Sequence, residues 1–287
     1  MYSHRFLMLA TLLCTWLIWG STYLAIRIGV EQIPPLLMAA VRFLLAGGAM
    51  FIALRLRGQP SPSRQEWANA ALVGFLMLTV GNGAVTWAEQ SVSSGMAAMV
   101  VAIVPLLTVW FSRLLGYRPA PSEWIGIALG LGGMLVLSTS QQLQASPGGT
   151  ALLLIAACAW AVASALSPRL ALPDGAMSAA TQMLIAGTLL AILGLIKGER
   201  LTHLPVQDAI LAVLYLALFG SVIAYSAFAW LLRNASPALA SSYAYVTPPV
   251  AVLLGWLLAD EAVSQAQWFA MPLVCIAVLF VARSRHR

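Results

Sequence analysis

The chain has 287 residues, of which 61% are hydrophobic and only 8% charged, and its mean hydropathy is +0.89. Soluble domains carry about a quarter charged residues, so this composition excludes soluble classes and predicts an integral membrane protein. The net charge of +6 does not indicate nucleic-acid binding, because the basic residues of membrane proteins collect in cytoplasmic loops.

Apolar runs long enough to cross a bilayer occur about ten times along the chain. They lie at about 6–28, 34–54, 67–88, 94–115, 122–139, 149–170, 176–196, 206–232, 237–259 and 266–282. We therefore predict an all-α integral membrane protein with ten transmembrane helices. Most of the 15 basic residues fall at the ends of these runs that share a side with the N-terminus. This bias predicts that both termini are cytoplasmic.

Aromatic and proline residues recur at a spacing of about 140 residues, which is typical of a duplicated unit. Pro105 corresponds to Pro248, Trp19 to Trp160, and the segment from Arg42 to the segment from Gln182. The repeats are predicted to cover residues 1–140 and 147–287. Because each repeat has five spans, an odd number, the second repeat must enter the membrane inverted, around a central cavity. Inverted repeats with broken helices at the midplane are typical of secondary transporters.

Prolines interrupt two corresponding spans and are predicted to act as hinges. Pro105 lies in the first of these spans, and Pro248 and Pro249 lie in the second. Proline removes an amide donor and clashes with the preceding turn, so each helix is expected to kink or open there. Ser241 and Tyr245 share a helical face with Pro248, and we predict that this face lines the cavity.

The third span carries a polar face formed by Thr79, Asn82, Thr86 and Glu89, at helical spacings. Lipid would penalise such a face, so we expect it to point inward. Glu89 lies near the outer end of this span. It either binds a substrate ammonium group or a coupling proton, or it is an ordinary interfacial carboxylate in solvent. The sequence leaves both interpretations open.

Arg42 is the most deeply placed charge, about one third of the way into the second span. It either binds a substrate carboxylate or fastens helices together through a carboxylate or backbone carbonyls. The corresponding residue of the second repeat is the uncharged Gln182. We therefore favour the structural role for Arg42.

Aromatic residues with a few hydroxyls are plentiful in the candidate walls and suit an amphipathic organic solute. An aromatic belt at the membrane surface is the alternative interpretation, but it fits the mid-span Trp19 and Trp160 poorly. The predicted substrate-binding residues are Trp19, Tyr23, Asn82, Thr86, Trp87, Glu89, Trp160, Ser164, Ser221, Tyr225, Ser241 and Tyr245.

Residues typical of catalysis or metal binding are missing from the sequence. There is no P-loop, no H-E-x-x-H and no G-x-S-x-G, and the three histidines lie at termini or in a loop. The three cysteines, Cys14, Cys158 and Cys275, lie in apolar runs without a short-spaced pair. We predict no catalytic residues, no metal site and no cofactor, and hence no enzyme.

Small residues in the fifth span indicate close helix packing. Gly126 and Gly130 form a GxxxG pattern, which is used either within a helix bundle or at a dimer face. A monomer and a homodimer both remain open.

The segments 19–48, 81–108 and 236–261 resemble the EamA-type branch of the drug/metabolite transporter superfamily. They read WGSTYLAIRIGVEQIPPLLMAAVRFLLAGG, GNGAVTWAEQSVSSGMAAMVVAIVPLLT and SPALASSYAYVTPPVAVLLGWLLADE. The resemblance implies two inverted five-helix halves around a central cavity. It also implies export of amino acids, drugs or small metabolites across the bacterial inner membrane. Tyr117 and Arg118 stand where the family often has an acid, which departs from the pattern.

Together these patterns predict a multi-pass secondary transporter of the inner membrane. It would export amino acids (aromatic or neutral) or similar small organic metabolites by alternating access. A passive facilitator or channel, and a multidrug efflux carrier for small amphipathic solutes, are the alternatives. The predicted partners are a small-molecule substrate and the lipid bilayer, not nucleic acid.

Overall fold

The computed structural model describes residues 4–92, 94–138, 146–250 and 265–283. These residues form helices and short connections, and no strand occurs among them. The helices coincide within a few residues with the predicted apolar runs. The part of the ninth run beyond residue 250, and the predicted boundary between the repeats at 140–147, lie largely outside the described residues.

The helices are numbered here in chain order, with two of the predicted spans each divided between two labels. The bounds are α1 His4–Val30, α2 Pro35–Leu56, α3 Arg64–Ala88, α4 Ser94–Val101, α5 Val104–Leu114, α6 Pro121–Ser138, α7 Pro147–Leu166, α8 Ala176–Ile196, α9 Gln207–Asn234, α10 Pro237–Ser241, α11 243–250 and α12 Gln265–Ala282.

Seven helical segments are long and apolar enough to cross a membrane, among the residues described. They are α1, α2, α3, the broken segment α4–α5, α7, α8 and α9. The helices α6 and α12 are apolar but shorter. The all-helical membrane fold is therefore confirmed.

The first proline-bearing span breaks where proline predicts. α4 ends at Val101, and α5 begins at Val104 with Pro105 in its first turn. The Pro105 nitrogen carries no hydrogen to donate to the preceding turn, and proline is well tolerated at such a helix start. Between the two helices, Ile103 N donates to Val100 O at 3.3 Å, so the chain turns tightly without leaving the span.

The second proline-bearing span breaks earlier than its prolines predict. α10 ends at Ser241, and the helix resumes at residue 243 and runs through Pro248 and Pro249 to the last described residue of the segment. At the break, the Ser242 hydroxyl donates to Leu239 O at 2.8 Å, and Ser242 N donates to the same carbonyl at 3.2 Å. The local turn is therefore set at Ser242.

Two helices contain a π-helical stretch of eight residues at corresponding positions. Phe75–Asn82 is the stretch in α3, and Leu216–Ile223 is the stretch in α9. A π turn inserts an extra residue into the helix and is frequent at functional sites. Both stretches face the centre of the bundle, because each is packed against helices of the other half.

α2 and α8 pack most closely at two glycines whose contacts are reciprocal. A Cβ at Gly47 would lie 2.9 Å from Ala180 O and 2.9 Å from Leu184 N. A Cβ at Gly187 would lie 3.1 Å from Ala40 O and 2.9 Å from Leu44 N. Gly47 thus contacts residues of α8 that precede Gly187, and Gly187 contacts residues of α2 that precede Gly47. The two helices are therefore antiparallel.

α6 and α12 repeat this arrangement. Gly126 faces Ala277 O, at 2.7 Å from its would-be Cβ, and Gly133 faces Ala270 O at 3.4 Å. The order along one helix is reversed along the other, so this pair is antiparallel as well. Gly130 faces the ring of Tyr245 in α11. The GxxxG glycines therefore serve packing within the chain.

Candidate functional site: a cavity between the two tryptophans

A small cavity of about 70 Å³ lies at the centre of the bundle. Its lining is Trp19, Thr22, Tyr23, Ile26, Arg42, Gly81, Asn82, Val85, Val101, Val104, Ala156, Ala157, Trp160 and Tyr243. Helices from both halves of the chain contribute to it.

Trp19 and Trp160 stand at the same end of the cavity. Their rings meet edge to face, with centroids 5.7 Å apart. The indole N–H of Trp19 donates to Gly220 O at 3.1 Å, inside the π-helical stretch of α9. Trp160 packs against Gly81, in the π-helical stretch of α3. A Cβ at Gly81 would lie 3.0 Å from the indole ring, so a glycine is needed for this close approach.

Further aromatic rings close this end of the cavity. Tyr243 lies 4.5 Å from Trp19 between centroids, and Phe228 lies 5.2 Å from Trp19 and 5.6 Å from Trp160. Phe228 and Tyr225 are buried behind the lining residues. Edge-to-face contacts of this kind add to the stability of a buried cluster. The rings therefore form one packed aromatic cluster (Trp19, Trp160, Tyr225, Phe228 and Tyr243) beside the cavity.

Arg42 brings a positive charge to the cavity wall. The side chain is buried, with 4% of the residue exposed, and its Nε donates to Ser221 Oγ at 2.8 Å. The guanidinium carbon also lies 4.9 Å from the Phe43 ring centroid. No carboxylate lies within 4.0 Å of Arg42 in the described ranges. Arg42 thus both links α2 to α9 and faces the cavity.

Two other polar atoms at the cavity have no hydrogen-bond partner among the described residues. They are the Asn82 Oδ1 and the Trp160 Nε1, and both are buried. Asn82 is the last residue of the π-helical stretch of α3. Buried polar groups are nearly always paired, so two unpaired atoms in one cavity wall are unusual.

Four of the predicted substrate-binding residues line the cavity, and eight do not. The four are Trp19, Tyr23, Asn82 and Trp160. The eight are Thr86, Trp87, Glu89, Ser164, Ser221, Tyr225, Ser241 and Tyr245. Arg42, predicted as a structural charge, lines the cavity as well.

Three of the hydroxyls outside the lining donate to their own helix. Thr86 donates to Asn82 O at 2.9 Å, Ser164 to Trp160 O at 2.8 Å, and Ser241 to Pro237 O at 2.5 Å. Such i−4 bonds satisfy a hydroxyl inside a helix without any tertiary partner. Ser221 instead accepts from Arg42, and so orients the side chain that does face the cavity.

Tyr243 lines the cavity, whereas Tyr245, which helical spacing predicts as a lining residue, does not. Tyr245 is fully buried in a cluster with Ala102, Met134 and Ala270, against Gly130. The predicted face through Ser241, Tyr245 and Pro248 assumes a continuous helix. Because the helix breaks at Ser242, Tyr243 reaches the cavity and Tyr245 does not.

Glu89 is fully buried at the end of α3, which removes the interpretation of a solvated carboxylate. Its backbone carbonyl accepts from Arg27 Nη1 at 2.7 Å. Trp87 lies beside a separate surface depression, with Lys197 Nζ 6.0 Å from its ring centroid.

Thr22 and Tyr243 were not among the predicted cavity residues. Thr22 lies one turn from Trp19, so helical spacing from Trp19 would have found it. Tyr243 required the position of the helix break.

The EamA-like transporter family matches the chain twice, over residues 6–139 and 148–283. The chain belongs to the EamA-like transporter family. A relative named uncharacterized inner membrane transporter YedA, from Escherichia coli (strain K12), is 51% identical over 276 residues. That match covers 96% of this chain and 90% of the relative.

More distant relatives and a solved structure agree with this EamA-like membership. The protein PecM of Dickeya dadantii is 26% identical, over 92% of this chain and 88% of its own length. The uncharacterized transporter YoaV of Bacillus subtilis is 23% identical, over 91% and 92%. A solved crystal structure superposes with a TM-score of 0.82 at 27% identity, covering 98% of this chain and 99% of the other.

Proposed function

We propose that the protein is a multi-pass secondary transporter of the bacterial inner membrane. It exports amino acids, aromatic or neutral, or similar small organic metabolites by alternating access. Membership of the EamA-like transporter family supports transport, and the name of the 51% identical YedA supports the inner membrane. The largely aromatic and aliphatic lining of the cavity, with few polar groups, supports a small amphipathic solute.

The carrier is built from ten transmembrane helices as two inverted five-helix repeats. The double family match supports the repeat boundaries near residues 140 and 147. The antiparallel packing of α2 against α8, at Gly47 and Gly187, and of α6 against α12, at Gly126 and Gly133, supports the inversion. Equivalent helices of two repeats run antiparallel only when one repeat is upside down relative to the other.

The observation that carries alternating access is a difference between Arg42 and Gln182, which are equivalent positions of the two proposed repeats. On one side, Arg42 faces the open cavity. On the other, its counterpart Gln182 is buried beneath Tyr225, whose hydroxyl donates to Gln182 Oε1 at 2.5 Å. An inverted repeat with one side open and the other filled is one of two alternate states. In the other state, the surroundings of Arg42 and Gln182 would be exchanged. The cavity would then open to the opposite face of the membrane.

A solute panel in proteoliposomes tests this function. Purified protein is reconstituted, and amino acids and organic acids are assayed for flux with and without an imposed pH gradient. Carrier function predicts saturable flux with trans-stimulation. Flux that rises linearly with concentration and shows no trans-stimulation would indicate a passive channel. A response to the gradient would identify proton coupling.

A further inference from the structure

Arg42 gives the cavity wall a single positive charge. Among the described lining residues it is the only charged side chain, and none of them is an aspartate or a glutamate. Of the two unpaired atoms, the Trp160 Nε1 can only donate, whereas the Asn82 Oδ1 can only accept. The charge of the described wall therefore favours a solute that carries a negative charge.

The Arg42 guanidinium has N–H donors that no described residue accepts from. Its Nε is occupied by Ser221 at 2.8 Å, which fixes the plane of the guanidinium. Neither terminal nitrogen has a hydrogen-bond or ion-pair partner in the part of the chain that is described. A guanidinium presents its donors in a fork that matches a carboxylate, and a buried charge is costly without a counter-ion. The cavity is the side from which an anion can reach the Arg42 guanidinium.

The rest of the cavity wall is aromatic and aliphatic. Trp19 and Trp160 bound one end, and Val85, Val101 and Val104 add an apolar side. The site therefore pairs one cation with a wall suited to a ring or a branched chain. That combination favours a solute with a carboxylate at one end and an apolar body at the other.

We propose that Arg42 is the carboxylate anchor of the transported solute, so that the substrates are small amphipathic monocarboxylates. The site recognises the carboxylate and the apolar body of the solute. This inference rests on the proposed transport function, because it names the substrate class of the same cavity. It replaces the purely structural role that the sequence favoured for Arg42.

Matched acid and amide probes test the anchor by equilibrium binding to purified protein in lipid nanodiscs. The probes are 3-phenylpropionate, L-phenylalanine and 4-methylpentanoate, each compared with its amide. Wild-type protein should bind the acids about 10- to 100-fold tighter than the amides, which is the range expected for a hydrogen-bonded ion pair. 3-Phenylpropionate should show the same preference for the acid over the amide as L-phenylalanine, because the anchor recognises the carboxylate that both acids carry.

Substitutions then assign the effect to the guanidinium. Arg42→Gln copies the residue of the second repeat and should remove the preference for acids by weakening acid binding alone. Arg42→Lys keeps the charge and should retain part of the preference. Arg233→Gln is the matched control, because Arg233 pairs with Asp174 at 3.8 Å outside the cavity. It should leave the preference unchanged.

Three results would overturn the anchor: amides that bind the wild type as tightly as acids, no binding of any acid, or a folded Arg42→Gln protein that keeps the preference. The comparison of acid and amide on the wild type needs no variant, so misfolding of Arg42→Gln leaves the inference testable. A wild-type protein that prefers acids but moves no solute in proteoliposomes would contradict the transport function and leave the anchor standing.

Discussion

The indole rings of Trp19 and Trp160 meet edge to face at 5.7 Å, yet their N–H groups have different surroundings. The Trp19 N–H donates to Gly220 O at 3.1 Å, whereas the buried Trp160 N–H has no partner among the described residues. The two tryptophans thus have separate roles. Trp19 links α1 to α9, whereas the Trp160 N–H has no partner in the described wall of the cavity.

The two tryptophans should respond differently to the same substitution. Trp19→Phe removes a buried hydrogen bond and leaves the Gly220 carbonyl without this donor. We therefore expect the free energy of unfolding to fall by about 1 kcal/mol or more, and the Tm to fall with it. Trp160→Phe removes no bond within the protein, so its Tm should stay near that of the wild type while solute affinity falls. Thermal unfolding in detergent measures both. Equal losses of Tm would contradict the different roles.

The reciprocal glycines should be equally intolerant of a side chain. Gly47→Ala and Gly187→Ala each place a methyl group about 2.9 Å from the backbone of the partner helix, which must move apart. Overpacking of this kind costs about 1–3 kcal/mol, so both variants should lose monodisperse protein on size exclusion. Gly132→Ala is the control, because nothing lies within 4 Å of its would-be Cβ. Wild-type behaviour of either variant would contradict the contact.

The hydrogen bond between Tyr225 and Gln182 should stabilise the packing of α9 against α8. Tyr225→Phe leaves the Gln182 carbonyl buried without its donor, which we expect to cost about 1–3 kcal/mol. Replacing both partners, as Tyr225→Phe with Gln182→Met, should recover part of this loss, since neither polar group is then stranded. A double-mutant cycle of thermal unfolding measures the coupling. Additive losses would mean that the bond does not stabilise the protein.

The proposed inverted repeats, with both termini cytoplasmic, predict on which side of the membrane each loop lies. In a background without Cys14, Cys158 and Cys275, a cysteine at the exposed Thr202 should react with an impermeant maleimide in intact cells. A cysteine at the exposed Gln59 should react only after the cells are opened. Labelling of both positions in intact cells would contradict the topology.

The positions of the helices follow closely from the apolar runs, because lipid demands long apolar segments with internal backbone hydrogen bonds. The spacing of about 140 residues also identified Trp19 and Trp160 as equivalent, and the structure brings these two rings into contact. Composition and periodicity suffice where the membrane itself is the constraint.

The orientation of single side chains did not follow from the sequence. Tyr243 reaches the cavity because the helix breaks at Ser242, and helical spacing carried through that break selects Tyr245. The π-helical stretches Phe75–Asn82 and Leu216–Ile223 likewise shift every later residue around its helix. Arg42 combines a bond to Ser221 with a place in the cavity wall, so the choice between a structural and a binding role had no single answer.

Occupation of the cavity by the solute is tested most directly by counterflow of labelled 3-phenylpropionate in proteoliposomes. The wild type is compared with a variant in which a tryptophan replaces a residue of the cavity wall. Val101→Trp fills the cavity, whereas Ile125→Trp adds the same ring at an exposed site on α6. We predict saturable counterflow for the wild type and Ile125→Trp, and its loss in a Val101→Trp protein that remains monodisperse. Counterflow at the wild-type rate in Val101→Trp would contradict a central solute site.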